Sequence, residues 1–163
     1  MTDVRDECLE MAGSLGVDET INAKETDPVK KVLDLTEGGG ADIVIEAAGG
    51  SPEVGLAGFD TLYQAIEMVS TGGKILEMAH LEKPIENLAT GPFRAKCIKW
   101  VFPDFTTNRM MRHTINLVAT GRIRQKPLIT NIVEGIENLP EVFETTINKA
   151  QYHTLNPAQL KIE

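Results

Sequence analysis

The sequence predicts an open parallel α/β sheet. Two observations carry this. Helical and strand-like segments alternate along most of the chain, and the segment ADIVIEAAGG (41–50) holds three consecutive apolar β-formers, Ile43, Val44 and Ile45, instead of an alternating pattern. A run of that kind is expected where both faces of a strand are covered, as in the middle of a parallel sheet.

Each element has its own local reason. Val4, Cys8, Met11, Ala12 and Leu15 recur at helical spacing, so 4–15 reads as a helix that Gly16 ends. VDETIN (17–22) is short and partly β-branched, and reads as a strand. Asp27 before Pro28 is a strong helix start, an N-cap followed by proline in the first turn. Val29, Val32, Leu33 and Leu35 give that helix an apolar side, and the glycines at 38–40 stop it. After the strand at 41–46, TLYQAIEMVSTGG (61–73) reads as a helix with C-terminal glycines and KILEMA (74–79) as a strand. A polar loop with Pro84 and Pro92 leads to KCIKWVF (96–102), a further strand closed by Pro103. Residues 107–120 read as a helix ended by Gly121. Beyond Lys126 the alternation stops. A short strand and a helix from about Leu139, with Leu139, Val142, Phe143 and Ile147 on one face, form a separate tail that closes on LKIE.

Composition excludes several function classes. With 163 residues, 42% hydrophobic and 25% charged, the chain is of ordinary globular character. A net charge of −8 disfavours a phosphate-binding surface, whether nucleic acid or anionic membrane. No apolar stretch is long enough to span a bilayer, and the acidic N-terminus is unlike a signal peptide, so a cytoplasmic location is expected. Cys8 and Cys97 belong to no CxxC or Cys/His cluster and are expected to be buried or half-buried free thiols, with a disulfide or metal site as the alternative.

Candidate sites follow from position. The glycines at 38–40 follow a helix and precede a strand, the reverse of a phosphate-binding turn, so they read as a helix stop. EAAGG (46–50) lies at the carboxyl end of a strand, where open α/β sheets bind ligands; it reads either as a ligand-facing turn or as a tight structural one. Asp3 reads either as an N-cap or as a ligand of an adenosine ribose, which would repel a 2′-phosphate. His80 follows a strand on the ligand side, or is a surface histidine; His113 in a helix and His153 in the tail read as structural. Glu46 ends an apolar strand, and a structural hydrogen-bonding role suits it better than catalysis. IKWVF (98–102) in the last strand reads as a dimer edge or as core packing. No Ser/His/Asp order, HExxH motif or paired-carboxylate motif stands out.

Taken together, TDVRDECLEMAGSLGVDETIN (2–22), DPVKKVLDLTEGGGADIVIEAAGG (27–50), QAIEMVSTGGKILEM (64–78), INLVATGRI (115–123) and PLIT (127–130) resemble the medium-chain dehydrogenase superfamily, of the zinc-dependent alcohol, sorbitol and threonine dehydrogenase type. The resemblance implies an incomplete Rossmann-like parallel sheet that lacks its first strand and most of its second. It divides the chain into a truncated NAD-binding domain, 1–124, and a segment, 125–163, that in the family returns to the catalytic domain. Asp3 then matches the ribose-binding acid and implies NAD over NADP, Arg5 flanks the adenosine, and Ala47, Ala48 and Gly49 lie against the cofactor. Met78 and Ala79, with His80 beside them, lie near the nicotinamide; the family usually has glycine where Ala79 stands. The strand at 98–102 pairs across a twofold axis in dimeric members, implying a homo-oligomer. The intact activity is reversible hydride transfer between nicotinamide and an alcohol or carbonyl substrate, at a catalytic zinc. The zinc ligands, the GxGxxG turn and the catalytic domain have no counterpart in this sequence, so no catalytic residue is assigned and the chain alone is expected to be inactive. The alternatives are a non-catalytic nucleotide-binding or subunit-pairing module, or half of a split dehydrogenase.

Overall fold

The computed structural model describes residues 1–50, 57–80, 84–85 and 88–162. The chain forms β1 (Thr2–Asp3), α1 (Asp6–Ser14), β2 (Ile21–Asn22), α2 (Pro28–Leu35), β3 (Ala41–Glu46), α3 (Asp60–Met68), β4 (Val69–Glu77), α4 (Gly91–Ala95), β5 (Lys99–Val101), α5 (Asn108–Ala119), β6 (Ile132–Glu134), α6 (Leu139–Ile147) and β7 (Gln159–Lys161). Every strand pair is parallel, as expected. Among the described residues the expected open sheet is divided into β1-β2 and β3-β4-β5, and the tail forms a third sheet, β6-β7. By internal contacts the chain divides into two units, one made of 1–25 and 106–163, the other of 26–105.

The continuous unit owes its core to one face of α3. Leu62, Ala65 and Ile66 of α3 join Val69 and Ile75 of β4, and all five are buried. Val44 of β3 and Trp100 of β5 flank this cluster, one on each side of Ile75 in register. Those three side chains define the covered face of the sheet. On the other face Ile43 and Ile45 are 60% and 61% exposed. The expectation that β3 has both faces covered is therefore corrected. Successive side chains of a strand point to opposite faces, and α3 covers only the face carrying Val44.

Local signals explain the helix starts and stops. Asp27 Oδ1 accepts from the amides of Val29 and Lys30, at 2.9 and 3.2 Å, and so caps α2. Gly38 N donates to Leu33 O at 2.7 Å, closing that helix. Gly40, at φ +80°, turns the chain into β3 where a Cβ would meet Met68 O and Ser70 N. α3 ends earlier than its sequence suggested. Val69 takes an extended conformation and begins β4, because its side chain completes the core and is 1% exposed. The glycines at 72 and 73 lie inside the strand, where the register jumps from Ala41 opposite Val69 to Ile43 opposite Lys74. Lys96 secures the junction by donating from Nζ to the carbonyls of Ile66, Glu67 and Val69 at 2.7–3.1 Å. A cation at a helix C-terminus satisfies carbonyls that have no partner within the helix.

In the discontinuous unit, α1 packs on β1 and β2 and buries Leu9 and Ala12. It spans less than the expected 4–15, and Val4 lies outside it and exposed. Of the strand expected at 17–22 only Ile21 and Asn22 pair. α6 packs on β6 and β7, but of the face predicted to be inward only Val142 is half-buried: Leu139, Phe143 and Ile147 are exposed, and Thr145 is the buried residue. α5 lies within the helix expected over 107–120, with Thr107 as its N-cap, and buries no residue. The strand expected over 96–102 is reduced to Lys99–Val101, since Cys97 sits in a left-handed turn at φ +52°. Cys97 is exposed and Cys8 half-buried, both as free thiols. Part of the polar loop expected before Pro92 (81–83 and 86–87) lies outside the described residues.

Candidate functional site

Two turns meet at the carboxyl ends of β3 and β4. Glu46 O accepts from Met78 N at 2.7 Å and Ala79 N at 3.2 Å, and Gly50 N donates to His80 O at 3.0 Å. The chain approaches itself so closely that Gly49, buried and at φ +41°, has no room for a Cβ, which would collide with Ala79 Cβ and crowd His80 O. The structure thus brings together Ala47, Ala48 and Gly49 with Met78 and Ala79. Ala47 and Ala48 are exposed, Met78 is half-exposed and His80 is exposed, so the outer surface of the two turns is small, apolar and open.

Beneath the turns lie two carboxyl groups. Glu46 and Glu77 are the last residues of β3 and β4, stand opposite each other in register, and are each 3% exposed. Glu46 Oε1 accepts from Ala48 N at 2.9 Å, Gly49 N at 3.1 Å and Thr61 Oγ1 at 2.7 Å. Glu46 Oε2, both Glu77 oxygens and Trp100 Nε1 are buried with no donor or acceptor in hydrogen-bonding geometry. Burial would raise the Glu46 carboxyl, but the Glu77 carboxyl, Thr61 and the amides of Gly49 and Ala48 hold it below the usual range. Glu77 goes the other way. Burial first, then the neighbouring Glu46, push it up to about 7, against a smaller pull from the Trp100 N–H. Two carboxylates facing one another can only accept hydrogen bonds; one proton turns the contact into a bond.

Asp3 and Arg5 belong to the other unit. Asp3 Oδ1 accepts from Val4 N at 2.7 Å and Arg5 N at 3.0 Å, an Asx-type turn, while the N-cap position of α1 is Arg5. The N-cap reading of Asp3 is therefore corrected. The Arg5 guanidinium donates to Thr154 O at 2.9 Å and to Cys8 Sγ at 2.7 Å. Burial raises the Cys8 thiol, which disfavours a reactive thiolate. An open depression of about 380 Å³ in the same unit, lined by Glu7, Met11, Thr130 and His153 among others, contains none of the candidate residues. On its rim His153 Nδ1 lies 2.8 Å from Glu7 Oε1, and that hydrogen bond lowers the Glu7 carboxyl.

Sequence reasoning missed Glu77. It stands in KILEMA, an apparently apolar strand, and the available signal was a second acidic residue ending a neighbouring parallel strand. Among the described residues no three His, Cys, Asp or Glu side chains gather to hold a metal, so the residues present do not fit a zinc site.

Parallel α/β sheets bind ligands outside the carboxyl ends of their strands, where these two turns lie. The sequence model of the zinc-binding dehydrogenases matches residues 1–120, and the chain belongs to that family. It is 27% identical over 142 residues to L-threonine 3-dehydrogenase of Thermococcus kodakarensis, covering 82% of this chain and 36% of that protein. It is 28% identical over 141 residues to the NADP-dependent isopropanol dehydrogenase of Thermoanaerobacter brockii, covering 83% and 38%. Among solved structures, alcohol dehydrogenase TADH from Thermus sp. ATN1 is similar with a TM-score of 0.79 and 26% identity, over 99% of this chain and 44% of that one. The chain thus spans well under half the length of these relatives. Among the described residues no helix is long and apolar enough to cross a membrane.

Proposed function

We propose that this chain is the cofactor-side portion of an NAD-dependent, zinc-type alcohol dehydrogenase, a family enzyme that moves hydride between an alcohol or carbonyl substrate and nicotinamide. The observation that carries this reading is the meeting of residues 47–50 with 78–80 at the ends of two adjacent parallel strands, in a chain that belongs to the zinc-binding dehydrogenases. Ala47, Ala48 and Gly49 with Met78 and Ala79 would form one wall for the flat nicotinamide ring. Small side chains allow a ring to approach the backbone, and Met78 supplies apolar contact. Asp3 would accept the adenosine ribose hydroxyls through Oδ2, since Oδ1 already holds two amides. Arg5 would flank the adenosine. In this reading 1–124 is a Rossmann-like domain without its first strand and most of its second, and 125–163 is the segment that returns to the catalytic domain. Zinc belongs to the intact enzyme and not to the residues described.

The isopropanol dehydrogenase relative is named for NADP, whereas an acid at position 3 repels a 2′-phosphate, so the cofactor preference is directly testable. Calorimetry on the purified chain with NAD and with NADP should show saturable binding of NAD that is weaker for NADP and weakened at least tenfold in Asp3→Ala. Binding indifferent to the 2′-phosphate, or unaffected by Asp3→Ala, removes Asp3 from the site. Binding of neither nucleotide means that this portion alone builds no cofactor site.

A second observation favours self-association. β5 is bonded only to β4 among the described residues, and Val101 and Phe102 next to its edge are 42% and 61% exposed. We propose that this edge pairs with a second copy of the chain. Sedimentation should then show a dimer that Val101→Pro or Phe102→Lys abolishes.

A further inference from the structure

The buried carboxyl pair beneath the two turns has no part in the cofactor reading, yet it holds their backbone. We propose that Glu46 and Glu77 share a single proton and act as positioning residues, the proton on Glu77 allowing Glu46 to stay ionised and fix the turn at Ala48 and Gly49. The proposal rests on the cofactor reading only for the use to which that turn is put.

Geometry carries the argument. The two glutamates face each other across adjacent strands, 3% exposed each, so neither charge reaches bulk water. Glu46 is the member that remains a carboxylate, because its Oε1 accepts three hydrogen bonds, two of them from Ala48 and Gly49. Neither Glu77 oxygen has a hydrogen bond of good geometry, and the Trp100 N–H offsets its carboxylate form only weakly. Protonated, it can donate to Glu46 Oε2, which also lacks a partner. One proton therefore satisfies atoms on both residues. A second would take the negative charge off Glu46 and weaken its hold on Ala48 and Gly49. With none, two adjacent carboxylates repel in a buried place.

The neighbours leave the pair its proton. α3 contributes the Thr61 hydroxyl to Glu46, β5 contributes the Trp100 N–H toward Glu77, and the turn contributes its two amides. The other titratable side chains on these elements are Asp42 on β3, Asp60, Tyr63 and Glu67 on α3, Lys74 on β4, His80 on the turn and Lys99 on β5. Among the described residues, none of the groups that act on the two carboxyls is a cation. The direction of both titrations agrees with one shared proton, Glu46 below the usual range and Glu77 above it. As pH rises past about 7 the proton leaves, and repulsion between the carboxylates is relieved by moving the strand ends and the turn they hold.

The test uses the whole chain without any dinucleotide, so its outcome is independent of cofactor binding. Carboxyl carbon shifts of Glu46 and Glu77, and amide shifts of Ala48 and Gly49, are followed by NMR from acidic to alkaline pH. The expected result is one inflection near pH 7 at Glu77, followed by the two amides. In Glu77→Gln, whose amide group can still donate to Glu46, the inflection at Ala48 and Gly49 should vanish. Ordinary titration of both carboxyls in the acidic range overturns the proposal. So does a neutral inflection that the amides do not follow, or one that persists in Glu77→Gln. If that variant does not fold, the wild-type titration decides alone.

Discussion

Arg5 Nη1 donates a hydrogen bond to the carbonyl oxygen of Thr154 at 2.9 Å, joining residues 149 positions apart in the sequence. The same guanidinium reaches Cys8 Sγ from Nη2 at 2.7 Å. One side chain thus fastens the start of α1 to the segment that precedes β7. Arg5→Ala should therefore lower the stability of the discontinuous unit by about 1–2 kcal/mol, the scale of a half-buried hydrogen bond from a charged group. Urea unfolding measures this as a lower midpoint at unchanged slope, and an unchanged midpoint would show the bond to be replaceable by water.

Lys96 makes three bonds to the end of α3, and the residue's place at the α3–β4 junction makes them structural. Lys96→Met keeps much of the stem and removes all three. The expected cost is about 1–3 kcal/mol, because three carbonyls lose a charged donor while water can reach some of them. Thermal unfolding would register it as a lowered midpoint, and Lys96→Arg should recover most of the loss.

Leu62 is completely buried at the centre of the continuous unit. Leu62→Ala should cost about 2–5 kcal/mol, the range for deleting a core side chain that leaves a cavity. By contrast, Ile45→Lys changes a side chain that is 61% exposed and should alter stability by no more than about 0.5 kcal/mol. A large loss in Ile45→Lys would mean that something covers that face in solution.

The carboxyl pair predicts a particular dependence of stability on pH. Glu77 binds its proton more tightly in the folded than in the unfolded chain. Its contribution is therefore complete below about pH 4.5, the ordinary value, and is lost as pH rises to about 7. Glu46 is shifted downward, so its contribution is present above the ordinary value and lost as pH falls through its own lowered one. Together they stabilise most near the ordinary carboxyl range. From there toward neutrality, stability should fall by at most about 1.4 kcal/mol per pH unit from this single proton. Urea unfolding at several pH values should show this slope in the wild type and flatten it in Glu77→Gln.

Local chemistry was legible where one or two residues decide the outcome. Asp27 before Pro28 started α2, and the glycines at 38–40 ended it, because capping and left-handed turns depend only on neighbours in sequence. The apolar run at 43–45 misled, since its pattern records what a strand prefers and not what lies over it. The end of α3 misled for a related reason: Val69 leaves the helix to fill a core that Leu62 and Ile75 create from a distance. Of the candidate site, the turn at 46–50 was read from its strand end, Met78 and Ala79 came only from the family resemblance, and the structure sets the two turns side by side. Glu77 was not found, because its importance lies in facing Glu46 across a pairing that only the register fixes.

The division of the chain has a consequence for its synthesis. Residues 26–105 form a unit from one uninterrupted stretch, whereas residues 1–25 belong with 106–163. Emerging from a ribosome, the middle of the protein can complete its core as soon as β5 is out. Residues 1–25 cannot, because the rest of their unit, 106–163, is translated later. Arg5 is without its partner until Thr154 arrives. Within this stretch, residues 1–25 precede 26–105 in translation but follow them in completing a unit.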